Sequence, residues 1–231
     1  MPRSHGRTGR PPLTSRAEIL DAARKIIDRD GWQRLTVRRL AAELGIGPTT
    51  LYHHVRDRED LLIQLLNEHA QQTLRRDLPS NPRDRIVASA IAIHDSLAAW
   101  PWAAEVLTAD GFLRRLGQPA LEMVEAIVGA AAEAGCTSEQ AVHLFRGIWY
   151  YTVGEILVRA HSDSRRTGDG QDAPDDAFFD RADVSRLPHL ARIGNRWPAL
   201  AAQDTYVAAL GAFVDGLLAH AGAVPRTEPR V

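Results

Sequence analysis

An all-α fold is what this sequence predicts, and three observations carry it. Apolar residues recur at three- and four-residue spacing in one segment after another. Ser, Thr, Asn or Pro stands ahead of these segments and Gly or Pro behind them. No stretch of convincing length alternates Val or Ile with polar residues, as a half-buried strand would. The chain is read as an N-terminal three-helix head joined by a long helix to a larger helical body.

Residues 1–14, MPRSHGRTGRPPLT, are a basic arm with too little apolar surface to bury, and disorder is expected there. Its Gly9-Arg10-Pro11 leaves two readings open. Arg10, held extended by the proline after it, can enter a narrow A·T-rich minor groove, or the arm is a solvated tail without a partner. Short, basic and without an apolar run, the arm is not expected to be a secretory signal. The first helix begins at Ser15, whose pairing with Glu18 is a capping box, and runs to about Asp30, where Gly31 stops it. Ile19, Leu20, Ala23, Ile26 and Ile27 face its core, and Trp32 and Leu35 close the head.

Residues 36–55, TVRRLAAELGIGPTTLYHHV, are the most informative twenty positions. Thr36 N-caps a short helix whose inward residues are Val37, Leu40, Ala41 and Leu44, with Arg38, Arg39 and Glu43 turned outward. Gly45 supplies the left-handed residue that ends it, and Ile46 plugs the turn into the core. Pro48 opens the next helix, since the first helical N–H has no intrahelical partner to lose. There Leu51 and Val55 face inward, leaving Thr49, Thr50, Tyr52 and His53 on the other side. Small hydroxyls let a backbone approach a major groove closely, and Tyr and His can touch bases or phosphates. The pattern is that of a helix-turn-helix, which by spacing alone also fits an ordinary bundle.

Charge favours the first. Residues 1–56 carry 11 Lys/Arg against 5 Asp/Glu, a net of +6, although the whole chain is −1 and the remainder is therefore −7. A basic head on an acidic body fits an anionic polymer bound at one end.

The stretch LTVRRLAAELGIGPTTLYHHVRDREDLL resembles the DNA-binding head of the tetracycline-repressor (TetR) family, with Leu51, Tyr52 and His54 matching its Leu-Tyr-x-His signature. The resemblance implies Arg38, Pro48, Thr49, Thr50, Tyr52, His54 and Arg58 as DNA contacts, chiefly to phosphates, with Thr49 and Thr50 nearest the bases. Periodicity favours His53 over His54, and both stay candidates. YVAALGAFVDGLLAH near the C-terminus is similar to the closing segment of the family's regulatory domain, through Asp215, Gly216 and Leu217, and the Pro-Trp-x-x-Glu-Val-Leu run at 101–107 also looks familial.

Asp57, Glu59 and Asp60 open a connecting helix over 58–77 with Leu61, Leu62, Leu65 and Leu66 along it. Further helices are predicted at about 81–100, 102–109, 119–134, 138–161 and 201–220, with Gly135 a stop and Thr137 to Gln140 a cap. Residues 162–199, rich in Gly, Asp, Ser and Pro, are expected to be a long loop. The domains expected are a flexible arm at 1–14, a DNA-binding head at 15–57, a regulatory body at 58–223 and a tail at 224–231.

The helices at 138–161 and 201–220 have more apolar surface than one face can use, and Gly211 and Gly216 would permit close approach. A four-helix seam between two copies would cover the excess, with Val153, Leu157, Leu210, Phe213, Val214 and Leu217 as interface candidates. Aromatic and polar residues gather around 94–112 and 145–155, and mostly apolar walls with a few polar anchors are what small-molecule cavities use. His94, Trp102, Phe112, Phe145 and Trp149 are the ligand candidates, the plain alternative being that aromatics there fill core or seam.

The partners expected are double-stranded DNA, an inverted-repeat operator, a small apolar or aromatic effector and a second copy. The resemblance implies repression without ligand and release with it. No counterpart of the namesake's histidine-rich magnesium–tetracycline set is evident, which makes tetracycline a poor candidate. No cofactor or metal site is expected, because Cys136 is single and the nine histidines lack ligand spacing. The lone cysteine fits a reducing cytoplasm, and no apolar run is long enough to cross a bilayer. No G-x-S-x-G, Walker A or G-x-G-x-x-G motif is present, so an enzyme is not expected. The competing reading is a small-molecule-binding helical protein or enzyme whose basic head serves RNA or protein contacts.

Overall fold

The computed structural model describes residues 14–74, 77–108, 111–167 and 186–223, which fall into two compact units. One holds the chain up to Gln72 together with Gly111–Gly117; the other holds the rest. By role the sequence divides at 57/58, whereas packing divides it at 72/73, because the helix after the head buries its apolar stripe with the head. Arg10 lies outside the described residues, as do 168–185 and 224–231.

The first unit contains α1 (Arg16–Asp30), a 3-10 turn (Trp32–Arg34), α2 (Val37–Glu43), α3 (Pro48–Tyr52) and α4 (Arg58–Thr73). The Ser15–Glu18 capping box forms: the Glu18 amide donates to Ser15 Oγ at 3.2 Å, and the Ser15 amide to the Glu18 carboxylate at 2.7 Å. Thr36 Oγ1 accepts from the Arg39 amide at 3.1 Å. Ile19, Leu20, Ile26, Leu35, Leu40, Leu51, Leu61, Leu62 and Leu65 are sealed in the core. A second 3-10 turn, Phe112–Arg115, is fastened to α4: Asn67 Oδ1 accepts from the Gly117 amide at 2.6 Å, Asn67 Nδ2 donates to the Arg115 carbonyl at 3.1 Å, and Arg115 pairs with Glu59.

The second unit contains α5 (Pro82–Ala98), α6 (Pro101–Val106), α7 (Gln118–Glu133), α8 (Ser138–Thr167), α9 (Pro188–Ile193), α10 (Trp197–Ala201) and α11 (Tyr206–Ala223). α5 packs chiefly on α7, α7 on α8, and α11 against α8 and α5. Ile86, Ala90, Ile127, Leu144, Phe145, Ile148, Leu210 and Val214 form the core. Thr137 and Gln140 cap α8 reciprocally, at 2.8 and 3.2 Å. Arg83 grips both Asp215 oxygens, at 2.8 and 2.9 Å, tying α5 to α11.

Several expectations are corrected. α8 continues to Thr167 rather than ending at 161, since Ser162 to Thr167 contains neither Gly nor Pro to stop it. The described part of 162–199 is not loop throughout, because Pro188 and Pro198 stand in the first turns of α9 and α10, where proline starts a helix. The last helix begins at Tyr206, not near 201. Leu210 and Val214, expected at a subunit seam, are 0% exposed within the single chain, and Val153 is buried as well. The chain's own core covers Leu210 and Val214 fully and Val153 to all but 7%. Close approach occurs at Gly147, where a Cβ would meet the Phe213 ring at 3.3 Å and Leu217 at 3.6 Å, and at Gly211, where it would meet the Arg83 guanidinium at 3.1 Å, but not at Gly216, where nothing lies within 4 Å.

Candidate functional site

The α2–α3 turn is closed by backbone geometry. Gly45 has φ +65°, its amide donates to the Ala42 carbonyl at 3.2 Å, and the Ile46 amide reaches back to Ala41 at 3.0 Å. These two bonds are a Schellman closure, which satisfies carbonyls left over at the end of α2 and requires a left-handed residue at position 45. Beyond it, Pro48 starts α3 and Leu51, 0% exposed, pins it to the core. Pro48, Thr49, Thr50, Tyr52 and His53 are exposed, Tyr52 to 56%. His54 is half-buried, and its carbonyl accepts from Gln64 at 3.2 Å. Thr49 and Tyr52 stand one turn apart, as do Thr50 and His53, so one short helix offers two hydroxyls, a phenol and an imidazole to solvent.

Charges around the turn sort themselves by pairing. Arg39 donates to Asp30 at 2.6 Å, and Arg29 binds Glu43 at 3.1 Å and Asp30 at 2.8 Å. Hydrogen bonds from Arg29 are the first cause holding the Asp30 and Glu43 carboxyls below their usual range. Those cations are committed to fastening α1 to α2. Arg38, exposed, has neither hydrogen bond nor ion pair among the described residues, which leaves its charge available to an external anion.

Arg58, implied as a DNA contact by the resemblance, is engaged within the chain. Its Nε donates to the Leu35 carbonyl at 2.7 Å, another guanidinium nitrogen to the Trp32 carbonyl at 2.8 Å, and the group lies 4.8 Å over the Trp32 ring. It staples the α1–α2 connection to α4 and is not presented as a free phosphate ligand. Arg34, exposed on the same connection, is a cation that the helical pattern did not single out; its only sequence signal is membership of the basic run at 34–39.

In the second unit the ligand candidates do not gather as one set. Phe145 and Trp149 are buried, Phe145 as a core member, while half-buried Trp102 stacks on Trp100 at 5.5 Å. Phe112 is grouped with the first unit. His94 is instead the hub of a polar network that the sequence did not reveal. Its Nε2 meets Glu155 Oε2 at 2.8 Å, its Nδ1 meets Asp95 at 3.0 Å, and Tyr206 stacks on its ring at 4.0 Å. The Tyr206 hydroxyl shares a 2.8 Å hydrogen bond with Thr152, and Tyr151 stacks beyond it at 5.5 Å. Burial pushes the Tyr206 phenol well above its ordinary range, the Thr152 hydrogen bond opposing and the nearby Tyr151 and Glu155 adding to it. Three helices, α5, α8 and α11, meet there. Among the described residues no group of three or more His, Cys, Asp or Glu could hold a metal ion.

A Schellman-closed helix-turn-helix with an exposed second helix, on a chain that continues into a second helical unit, is the architecture of a DNA-binding protein. Known proteins agree. The description "Bacterial regulatory proteins, tetR family" matches residues 19–65, and "Tetracyclin repressor-like, C-terminal domain" matches residues 78–221. The chain belongs to the tetR family of bacterial regulatory proteins, and is a DNA-binding transcriptional regulator. It is 30% identical over 212 residues to the HTH-type transcriptional repressor DrrR1 of Streptomyces coeruleorubidus, across 86% of this chain and 72% of that one. To an HTH-type transcriptional regulator of Saccharopolyspora erythraea it is 30% identical over 162 residues, 68% of this chain and 66% of that protein. The solved structure of Mycobacterium smegmatis BioQ superposes with a TM-score of 0.62 at 28% identity, over 90% of this chain and 99% of BioQ. BioQ with its natural double-stranded DNA operator gives 0.60 at 26%, over the same shares.

Proposed function

We propose that this chain is a homodimeric repressor whose paired heads hold an inverted-repeat operator and which a small apolar or aromatic effector, bound in the helical body, releases. One observation carries the reading: α3, with Leu51 sealed below and Thr49, Thr50, Tyr52 and His53 turned outward beside the uncommitted Arg38. In this reading Arg38, Tyr52, His53 and His54 meet phosphates, Pro48 sets the helix start, Thr49 and Thr50 lie nearest the bases, and Arg10 follows the minor groove. BioQ in complex with its operator supports DNA as the partner.

Two heads on one twofold axis must meet successive major grooves about 34–36 Å apart. An effector that prefers a conformer with another spacing weakens operator binding by its differential affinity, and by no more. Half-buried Leu157, Phe213, Leu217 and Leu218, with exposed Val142, Tyr150, Val158 and Val207, are apolar residues of α8 and α11 that remain for a second copy. By role the chain divides into arm, head at 15–57, body at 58–223 and tail, and it acts in the cytoplasm by binding alone, without catalysis. Among the described residues no single helix is long and apolar enough to cross a membrane.

The test is a titration of duplex DNA at several salt concentrations, with Tyr52→Ala alongside. A protein neutralising several phosphates loses affinity steeply between about 50 and 200 mM salt. Tyr52→Ala is expected to abolish operator binding with dimer and melting unchanged. A flat salt response in the parent protein refutes the proposal, and unfolding of Tyr52→Ala shows a core residue mistaken for a contact.

A further inference from the structure

Between α1 and the end of α2 runs an open groove of about 390 Å³, with Thr14 at one end, Glu18 and Asp21 along α1, and Glu43 contributed by α2. Ala22 and Leu44 give it apolar walls. Lys25 is the one cation among its lining residues, set against three carboxylates. An acidic groove is no surface for duplex phosphates, and none of its residues belongs to α8 or α11, the helices assigned to a second copy. Two carboxylate oxygens in it are unused. Glu18 Oε2 accepts from the Ser15 amide and hydroxyl at 2.7 and 3.0 Å, and Asp21 Oδ2 meets Lys25 at 2.8 Å. Glu18 Oε1 and Asp21 Oδ1 have no bond among the described residues, whereas both Glu43 oxygens are held by Arg29. Residues three apart are neighbours on a helix, so exposed Glu18 and Asp21 act together. Both carboxyls lie below their ordinary range, Glu18 first through the Ser15 amide and Asp21 first through Lys25, and both are ionised at neutral pH.

Residues 1–13 join the chain at Thr14, on the groove itself, and they carry Arg3, Arg7 and Arg10 without a single acid. Arg10 stands five residues before Ser15, a reach of at most about 17 Å, while Asp21 lies six residues beyond Ser15, about 9 Å along α1. We infer that, away from DNA, this arm lies back in the groove of its own head, with the Arg10 guanidinium on Glu18 and Asp21 and the Pro11-Pro12-Leu13 run along the apolar walls. A tethered segment meets such a groove at roughly millimolar effective concentration, so a contact too weak to hold a free peptide suffices. Duplex phosphates compete for the same arginines. The groove is therefore an autoinhibitory counterweight: it subtracts from what the arm contributes on DNA and is given up when the duplex takes the arm. That consequence rests on the DNA-binding regulator proposed above; the docking does not.

A nitroxide on Ser4→Cys, in the whole chain with Cys136→Ser, reads the arm through the backbone amides that it broadens. Ala22, Lys25 and Leu44 are expected to broaden, and Asp21→Arg or added duplex is expected to relieve them. Arg7→Ala with Arg10→Ala is expected to give the same relief without a substitution in the folded head. In duplex titration at low salt, Asp21→Asn is expected to bind about two- to fivefold tighter, the worth of an exposed ion pair, and to lose that gain when Arg7→Ala and Arg10→Ala are also present. An equal gain with and without the arm's arginines is general charge removal and overturns the inference. Groove amides that stay sharp, or broadening that ignores Asp21→Arg, overturn it too. Broadening found only between labelled and unlabelled copies makes a second copy's arm the occupant and likewise overturns it. A flat salt response of the parent protein sinks the regulator and leaves the spin-label result to decide the groove.

Discussion

Arg58→Ala distinguishes a staple from a DNA contact. The guanidinium makes two hydrogen bonds, 2.7 Å to the Leu35 carbonyl and 2.8 Å to the Trp32 carbonyl, and covers the Trp32 ring at 4.8 Å. A hydrogen bond to a charged group contributes about 1.5–3 kcal/mol and a cation–π contact about 0.5–1. The site is half-buried, so water recovers part of what the carbonyls lose, and a net cost of about 2–4 kcal/mol is expected. For a chain of this size about 1 kcal/mol moves Tm by roughly 2–4 °C, so the melt should fall by about 5–15 °C. Arg58→Lys is expected to recover little, because an ammonium lacks the planar fork that spans both carbonyls. The assay is thermal melting followed by circular dichroism, paired with duplex affinity against salt at a temperature where the variant is folded. The slope of log K against log salt should match the parent protein. An unchanged melt with a slope shallower by about 0.9, the signature of one lost phosphate contact, refutes the staple.

Other outcomes follow from single features of the structure. Arg38→Ala is expected to leave the melt unchanged and reduce the salt slope by about 0.9, read in the same titration. Gly45→Ala forces an L-residue into φ +65° with no Cβ neighbour within 4 Å, so left-handed strain alone, about 1–2 kcal/mol, should appear in chemical denaturation; Gly47→Ala, at φ −70°, should not share it. Leu51→Ala opens a void beneath α3 and should cost about 2–5 kcal/mol by the same measurement. The Tyr206 phenol ionises well above its ordinary range, so its contribution is fully present below the unfolded value near pH 10 and is lost as pH rises through the folded value. Tyr206→Phe should flatten that alkaline loss in a melt-versus-pH series. It should also lower the melt at neutral pH, because the Thr152 hydroxyl loses its partner.

Local chemistry carried by neighbouring residues was legible in the sequence. The Ser15–Glu18 and Thr137–Gln140 boxes, the Gly45 turn, proline at the start of α3 and inward Leu51 each depend on atoms a few positions apart, and the structure forms them as spacing requires. Helix ends without such signals were not legible, which is why α8 outruns its predicted stop and Pro188 and Pro198 begin helices rather than break them.

What the sequence alone determined is an all-α chain with a helix-turn-helix head and an acidic helical remainder, because period, cap and charge are properties of a linear string. Only tertiary structure decided where each side chain spends its bonds. Arg58 turns to two carbonyls 23 and 26 residues away, His94 meets Glu155 across 61 positions, and Leu210 and Val214 vanish into their own core instead of a seam. Those outcomes depend on which helices come to lie side by side, and helical spacing says which face is apolar without saying which neighbour will cover it.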